Sequence, residues 1–348
     1  MSDVIIREEG SVGWISLNRP EALHALNRGM LATMTDALFG WRRSPAITTV
    51  IIDHGSGRGF CAGGDVRVLA ESGAADGSEA RAFFYEEYQL NHLLFTCPKP
   101  LAAFMDGVTM GGGVGIALPC KYRVATENTR FAMPETAIGL FPDVGGGWYL
   151  PRLPGRVGQF LALTGARLDG AECHYLGIAT HYVPHAVLDD VKQQIIARPE
   201  RLEGILGTAS VTPPPARIAT NLAHINRAFA SDQLEDILRA LEQDGSEWGK
   251  KELATLQTKS PQTCKVALRL LAEGAVMQTF ADEMRQEYAV AARVVQRPDF
   301  GEGVRAVLID RDNLPKWNPA TPDGVTDQML DKIFAPLPDD EEWTPLSA

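Results

Sequence analysis

Residues 131–147 read Phe131-Ala132-Met133-Pro134-Glu135-Thr136-Ala137-Ile138-Gly139-Leu140-Phe141-Pro142-Asp143-Val144-Gly145-Gly146-Gly147. Two carboxylates, Glu135 and Asp143, stand in apolar surroundings rich in proline and glycine. Such surroundings supply little water, so an acid there needs a partner, a raised pKa or a chemical task. Upstream lie two glycine clusters, Gly63-Gly64 and Gly111-Gly112-Gly113. Each comes after a run that reads as a strand and before one that reads as a helix. The first turn of a helix leaves N–H groups without partners at its positive end. A glycine there lets a ligand approach the backbone closely. Together these pieces supply main-chain donors for an oxyanion and a carboxylate to act as acid, base or nucleophile, which is what acyl-thioester chemistry requires. Gly64 and Gly112 are the most exposed candidates for the two donors.

Each of these residues also has a plainer reading. The glycines would serve a tight strand-to-helix turn, with Asp65 as a helix cap, or close helix packing. Glu135 would be a solvated surface residue, and Asp143 a turn-former before glycines. Glu87 lies on a predicted helix over 79–95, where Phe83, Glu87, Leu90 and Leu94 share one face. A carboxylate on an apolar stripe is costly unless it is paired or used. The alternative is that Glu87 sits at the edge of the stripe and reaches water.

Further out, residues 12–17, 49–53, 100–105 and 122–126 are short apolar runs rich in β-branched residues, with helical spacing over 21–41 and 79–95. This alternation predicts an α/β domain ending near Pro184. From about Leu188 the strand signals fade, and Pro213-Pro214-Pro215 marks a break. Helical patterns follow over 232–242, 261–273 and 276–296, the last closed by Pro298-Asp299-Phe300-Gly301. The tail after Leu314 predicts an irregular strap with a short helix. The expected organisation is therefore an α/β core over 1–187 and a mainly helical region over 188–348.

The 348 residues are 45% hydrophobic, enough for a large core. A net charge of -11 argues against a general nucleic-acid or anionic-membrane surface, though a local basic mouth can still take a polyanion. The five cysteines are odd in number and form no Cys-x-x-Cys pair, which predicts a reduced intracellular protein. The first residues carry charge and neither a secretory nor a basic transit pattern, so the expectation is a cytoplasmic protein. No apolar run reaches the length of a membrane span. There is no Gly-x-Ser-x-Gly, His-Glu-x-x-His or phosphate-loop motif, and the seven histidines show no metal-ligand spacing. No metal is expected.

At the residues quoted above the chain resembles the crotonase (enoyl-CoA hydratase/isomerase) superfamily. The resemblance begins at Leu17-Asn18-Arg19-Pro20 and runs through residues 60–65 and the Gly111 triplet. Within that superfamily it is most similar to the 3-hydroxyisobutyryl-CoA hydrolase branch. That likeness rests on Glu86-Glu87-Tyr88, the run 131–147, Leu150-Pro151-Arg152-Leu153, residues 299–310 and Pro315-Lys316-Trp317. The resemblance implies a spiral of ββα units followed by helices, and N–H donors at Gly64 and Gly112. It also implies substrate-binding or catalytic roles for Glu87, Gly112, Glu135 and Asp143. Hydratases of the superfamily carry a glutamate two residues after the glycine triplet, where this chain has Gly115.

The activity implied is hydrolysis of a short β-hydroxyacyl-CoA, with coenzyme A arriving as part of the substrate and no separate cofactor. An enoyl-CoA hydratase or isomerase, and a non-catalytic acyl-CoA-binding protein, are the competing expectations. Related proteins often form trimers, which leaves a homo-oligomer open.

Overall fold

The computed structural model describes residues 2–347. Ten strands are found among them: β1 (Val4–Glu9), β2 (Val12–Leu17), β3 (Thr49–His54), β4 (Gly59–Cys61), β5 (Leu101–Met105), β6 (Val108–Met110), β7 (Tyr122–Ala125), β8 (Arg130–Ala132), β9 (Leu168–Asp169) and β10 (His181–Tyr182). The larger sheet has the order β1-β2-β3-β5-β7-β10, parallel except for the β1/β2 hairpin. Strands β2 and β5 are buried at every residue. Burial on both faces is why they read as continuous apolar runs rather than as an alternation.

The smaller sheet, β4-β6-β8-β9, is parallel up to its antiparallel β8/β9 edge. Strands β4, β6 and β8 have three residues each, too few to carry a sequence pattern, and the alternation of apolar runs does not reveal them. They nevertheless set the plan of the molecule. Pairs β3–β4, β5–β6 and β7–β8 each give their first strand to the larger sheet and their second to the smaller one. A helix or helical turn follows each pair. The expected ββα spiral is thus realised.

After β10 the chain is helical. The 3-10 turn His185–Val187 passes into helix Leu188–Ala197, and the later helices include Leu234–Asp244, Pro261–Gly274, Phe280–Val294 and Asp327–Phe334. Helix Phe280–Val294 packs on helix Ser78–Phe95, with the Tyr85 and Tyr288 rings 5.3 Å apart edge to face. The tail returns as a strap, its buried Trp343 donating from Nε1 to the Tyr85 carbonyl at 3.1 Å.

Three predicted boundaries move. The helix expected over 21–41 begins only at Arg28, because Leu23 and His24 take left-handed backbone angles (φ 49° and 58°). His24 holds that turn by accepting from the Arg19 N–H at 2.9 Å, and Asn27 caps the helix through the Met30 N–H. The segment 276–279 stays outside its helix, which starts at Phe280 with Thr279 as cap. Pro298 opens a new helix, Pro298–Val304, instead of closing the previous one. At the first helical position its missing N–H costs nothing.

Candidate active site

Gly64, Gly112 and Glu135 follow the ends of β4, β6 and β8, three neighbouring parallel strands of the smaller sheet. The carboxyl edge of such a sheet is where ligands bind in α/β proteins. In-register pairing of β6 with β8, Met110 opposite Ala132, brings segments far apart in sequence side by side there. Helix Ser78–Phe95 adds Glu87, and the loop after residue 140 adds Asp143. All five residues line one cavity of about 520 Å³.

Gly112 is the first residue of helix Gly112–Ala117, so its N–H has no acceptor within the helix. Around Gly64, Ala62 donates to the Leu23 carbonyl and Asp65 to that of Leu26, both at 3.0 Å. Among the described residues the Gly64 N–H takes no part in those turn bonds. Gly112 is also glycine for lack of room: a Cβ there would overlap Glu87 Oε1 and stand 3.1 Å from Leu26 Cδ1. The capping reading of Asp65 is not realised. Its side chain caps no N–H and instead accepts from Arg19 Nη2 at 3.1 Å.

The three acids are almost dry: Glu87 is 2% exposed, Glu135 5% and Asp143 4%. Neither the surface reading of Glu135 nor the snorkelling reading of Glu87 holds. Tyr88 Oη donates to Asp143 Oδ2 at 2.8 Å. Glu87 Oε1 and Glu135 Oε2 have no hydrogen-bond partner among the described residues. Burial first, and then the nearby Asp143 charge, raises the Glu135 carboxyl well above its usual range. Glu87 is raised in the same way, by burial and then by Asp143 and Glu135. Burial lifts Asp143 to about 6 against the opposing pull of the Tyr88 hydroxyl. Three such acids cannot all be ionised near neutral pH, so the cluster holds exchangeable protons beside the two free N–H groups.

Sequence reasoning missed Tyr88 as the partner of Asp143. It also missed Arg167, Lys259, Val307 and Leu308, which complete the cavity wall. At Gly115 there is no space for the hydratases' glutamate: a Cβ would lie 2.6 Å from Val144 Cβ and 2.8 Å from Asn91 Nδ2. No His, Cys, Asp and Glu cluster able to hold a metal ion occurs among the described residues, and no helix is long and apolar enough to cross a membrane.

The family model described as enoyl-CoA hydratase/isomerase matches residues 12–334. The chain belongs to that family. Among curated relatives, the mitochondrial 3-hydroxyisobutyryl-CoA hydrolase of Xenopus laevis is 43% identical over 96% of this chain and 89% of its own length. Those of Gallus gallus and Homo sapiens are each 41% identical, over 97% and 96% of this chain, and 89% of each relative is covered. A solved structure of a carnitinyl-CoA dehydratase from Mycobacterium thermoresistibile superposes with a TM-score of 0.95 at 38% identity, covering 100% of both chains. An enoyl-CoA hydratase structure from Rhodobacter sphaeroides 2.4.1 gives 0.92 at 35% identity, covering 99% of this chain and 100% of that one. The crotonase-like fold and the membership expected from the sequence are both borne out.

Proposed function

We propose that the protein hydrolyses the thioester of a short β-hydroxyacyl-CoA, 3-hydroxyisobutyryl-CoA first among them, releasing the hydroxy acid and coenzyme A. One observation carries this reading. A buried carboxylate with an unpartnered oxygen, Glu135, shares a cavity with two N–H groups that the fold leaves free. The thioester oxygen lies between the Gly64 and Gly112 N–H groups, which stabilise the charge that appears on attack, typically by about 10²–10³-fold in rate per donor. Glu135 activates a water, or attacks the carbonyl itself to give a mixed anhydride that water then opens. On either route one water is consumed, the C–S bond breaks and the sulfur leaves as a thiol. Asp143, held by Tyr88, binds the 3-hydroxyl or carries its proton, and Glu87 orients the substrate. The names of the curated relatives support the substrate class. Release of free thiol from 3-hydroxyisobutyryl-CoA, lost in Glu135→Ala, tests the reading. An equal rate in the variant would contradict it, and no thiol release by the wild type would leave a hydratase or a non-catalytic binding protein.

A second reading, water addition to an enoyl-CoA, is favoured by the names of the solved neighbours. It would need Glu87 to stand in for the glutamate that Gly115 excludes. Incubation with crotonyl-CoA separates the two: loss of enoyl absorbance without free thiol supports the hydratase.

The proposal treats residues 1–187 as the acyl-CoA-binding core and 188–348 as its helical cover, with coenzyme A entering only within the substrate. It includes a reducing, cytoplasmic setting, supported by five free thiols of which four are buried. The relatives carry mitochondrial in their names, so fractionation with a mitochondrial marker would overturn that part.

A further inference from the structure

Glu287 lies in the middle of helix Phe280–Val294 and is fully buried. It does not line the cavity. Its Oε2 accepts the Gly145 N–H at 2.8 Å and its Oε1 the Gly147 N–H at 3.1 Å. The first amide ends the loop that carries Asp143, and the second lies in the first turn of the helix Gly146–Tyr149 that follows it. That loop turns sharply: Val144 and Gly145 take positive φ angles of 52° and 90°, and Gly146 donates back to the Asp143 carbonyl at 2.8 Å. A left-handed angle is costly for a β-branched residue and persists only where the surroundings over-determine it. Val144 is held further by Gly115, whose bare Cα it covers. One turn before Glu287, Glu283 fills the space beside Gly147 and Gly274.

We propose that Glu287 is a positioning residue for Asp143. Its carboxyl group clamps the Gly145 and Gly147 N–H groups, holds the strained turn, and so fixes the Asp143 carboxyl against Tyr88 Oη in the cavity. A two-oxygen acceptor suits two N–H groups two residues apart. The helical C-terminal region thereby sets the geometry of a residue of the α/β core. The catalytic consequence rests on the hydrolase reading, while the clamp itself does not.

The test is Glu287→Gln, which keeps shape but offers one acceptor oxygen and faces the other N–H with an NH2 group. Hydrogen exchange of peptides spanning 141–150 is read first, against a peptide spanning 101–105. The loss of one bond predicts exchange at Gly145–Gly147 faster by roughly ten-fold, with strand β5 unchanged. Unchanged exchange at the glycines overturns the clamp. Next, kcat/KM for 3-hydroxyisobutyryl-CoA is divided by that for isobutyryl-CoA. The clamp predicts a fall in this ratio, which a simple loss of folded protein would leave unaltered. Faster exchange with an intact ratio overturns the positioning role. Asp143→Asn is run beside it. If that variant keeps the ratio, the role proposed for Asp143 in hydrolysis fails, and the clamp is judged on exchange alone. If Glu287→Gln does not fold, Glu287→Asp is read in its place, with the same signs and smaller changes.

Discussion

Glu135 and Glu287 are both withdrawn from water, at 5% and 0% exposure. Glu287 gives each oxygen to a main-chain N–H, whereas Glu135 leaves Oε2 without a partner. The first belongs to the helical cover and meets a loop; the second belongs to the α/β core and meets a cavity. A buried acid whose acceptors are satisfied adds to structure. One left unsatisfied is a cost to the fold, retained where its chemistry is used. Both carboxyls are raised by burial, so burial alone does not tell the two roles apart. Partnering does.

The largest expected effect breaks the unpartnered side. Glu135→Ala lowers kcat for thiol release by about 10²–10⁴-fold, the range of a lost acid-base group, with the fold intact by circular dichroism. Gly112→Ala comes next. Its Cβ would overlap Glu87 Oε1 and crowd a donor, so kcat falls by about 10²-fold, a single donor's share. Thermal melting run beside the assay separates this from unfolding. Asp143→Asn then reduces the preference for the hydroxylated thioester by about 10–100-fold, since a buried hydroxyl loses its acceptor. Equal losses with isobutyryl-CoA would contradict the hydroxyl-reading role.

Stability sharpens the comparison with smaller effects of opposite sign. A carboxyl with a raised folded pKa adds its full stability at pH values below its unfolded pKa, and that contribution is lost as pH rises through the folded one. Glutamine does not ionise, so Glu135→Gln melts higher than wild type at pH 8, and the gain shrinks towards pH 4. At pH 4, where neither carboxyl carries charge, Glu287→Gln loses a bond and is less stable than wild type by roughly 1 kcal/mol. The same sign applies to Asp143, whose carboxyl is neutral in the fold below about 6. An ionised Asp143 is the stronger acceptor for the 3-hydroxyl, so the preference for the hydroxylated over the plain thioester rises with pH through about 6, and a flat ratio from 5 to 7 would contradict that role.

Much of this was legible in the sequence. Strands β2, β3, β5 and β7 of the larger sheet announced themselves because burial demands apolar runs, whereas the half-exposed β1 and the two-residue β10 did not; Glu135 stood out because its flanks are mostly apolar. Glu87 was found by asking which carboxylate sits on an apolar stripe. The same question put to helix Phe280–Val294 finds Glu287, among Phe280, Met284, Ala291 and Val294, so that signal was present and unused. Strands β4, β6 and β8 were hidden by their length, and their adjacency, which gathers Gly64, Gly112 and Glu135, is a tertiary fact. The bond from Tyr88 to Asp143 spans 55 residues, and no local spacing encodes it. Pro298 misled because proline ends one helix as readily as it begins another.

The decisive measurement is a crystal structure with an uncleavable ketone analogue of 3-hydroxyisobutyryl-CoA. The account predicts its carbonyl oxygen at about 2.7–3.1 Å from the nitrogens of both Gly64 and Gly112. It also predicts a Glu135 oxygen within reach of the carbonyl carbon, directly or through one water. An analogue bound with its carbonyl away from those amides, or with Glu135 rotated out of the cavity, would contradict it.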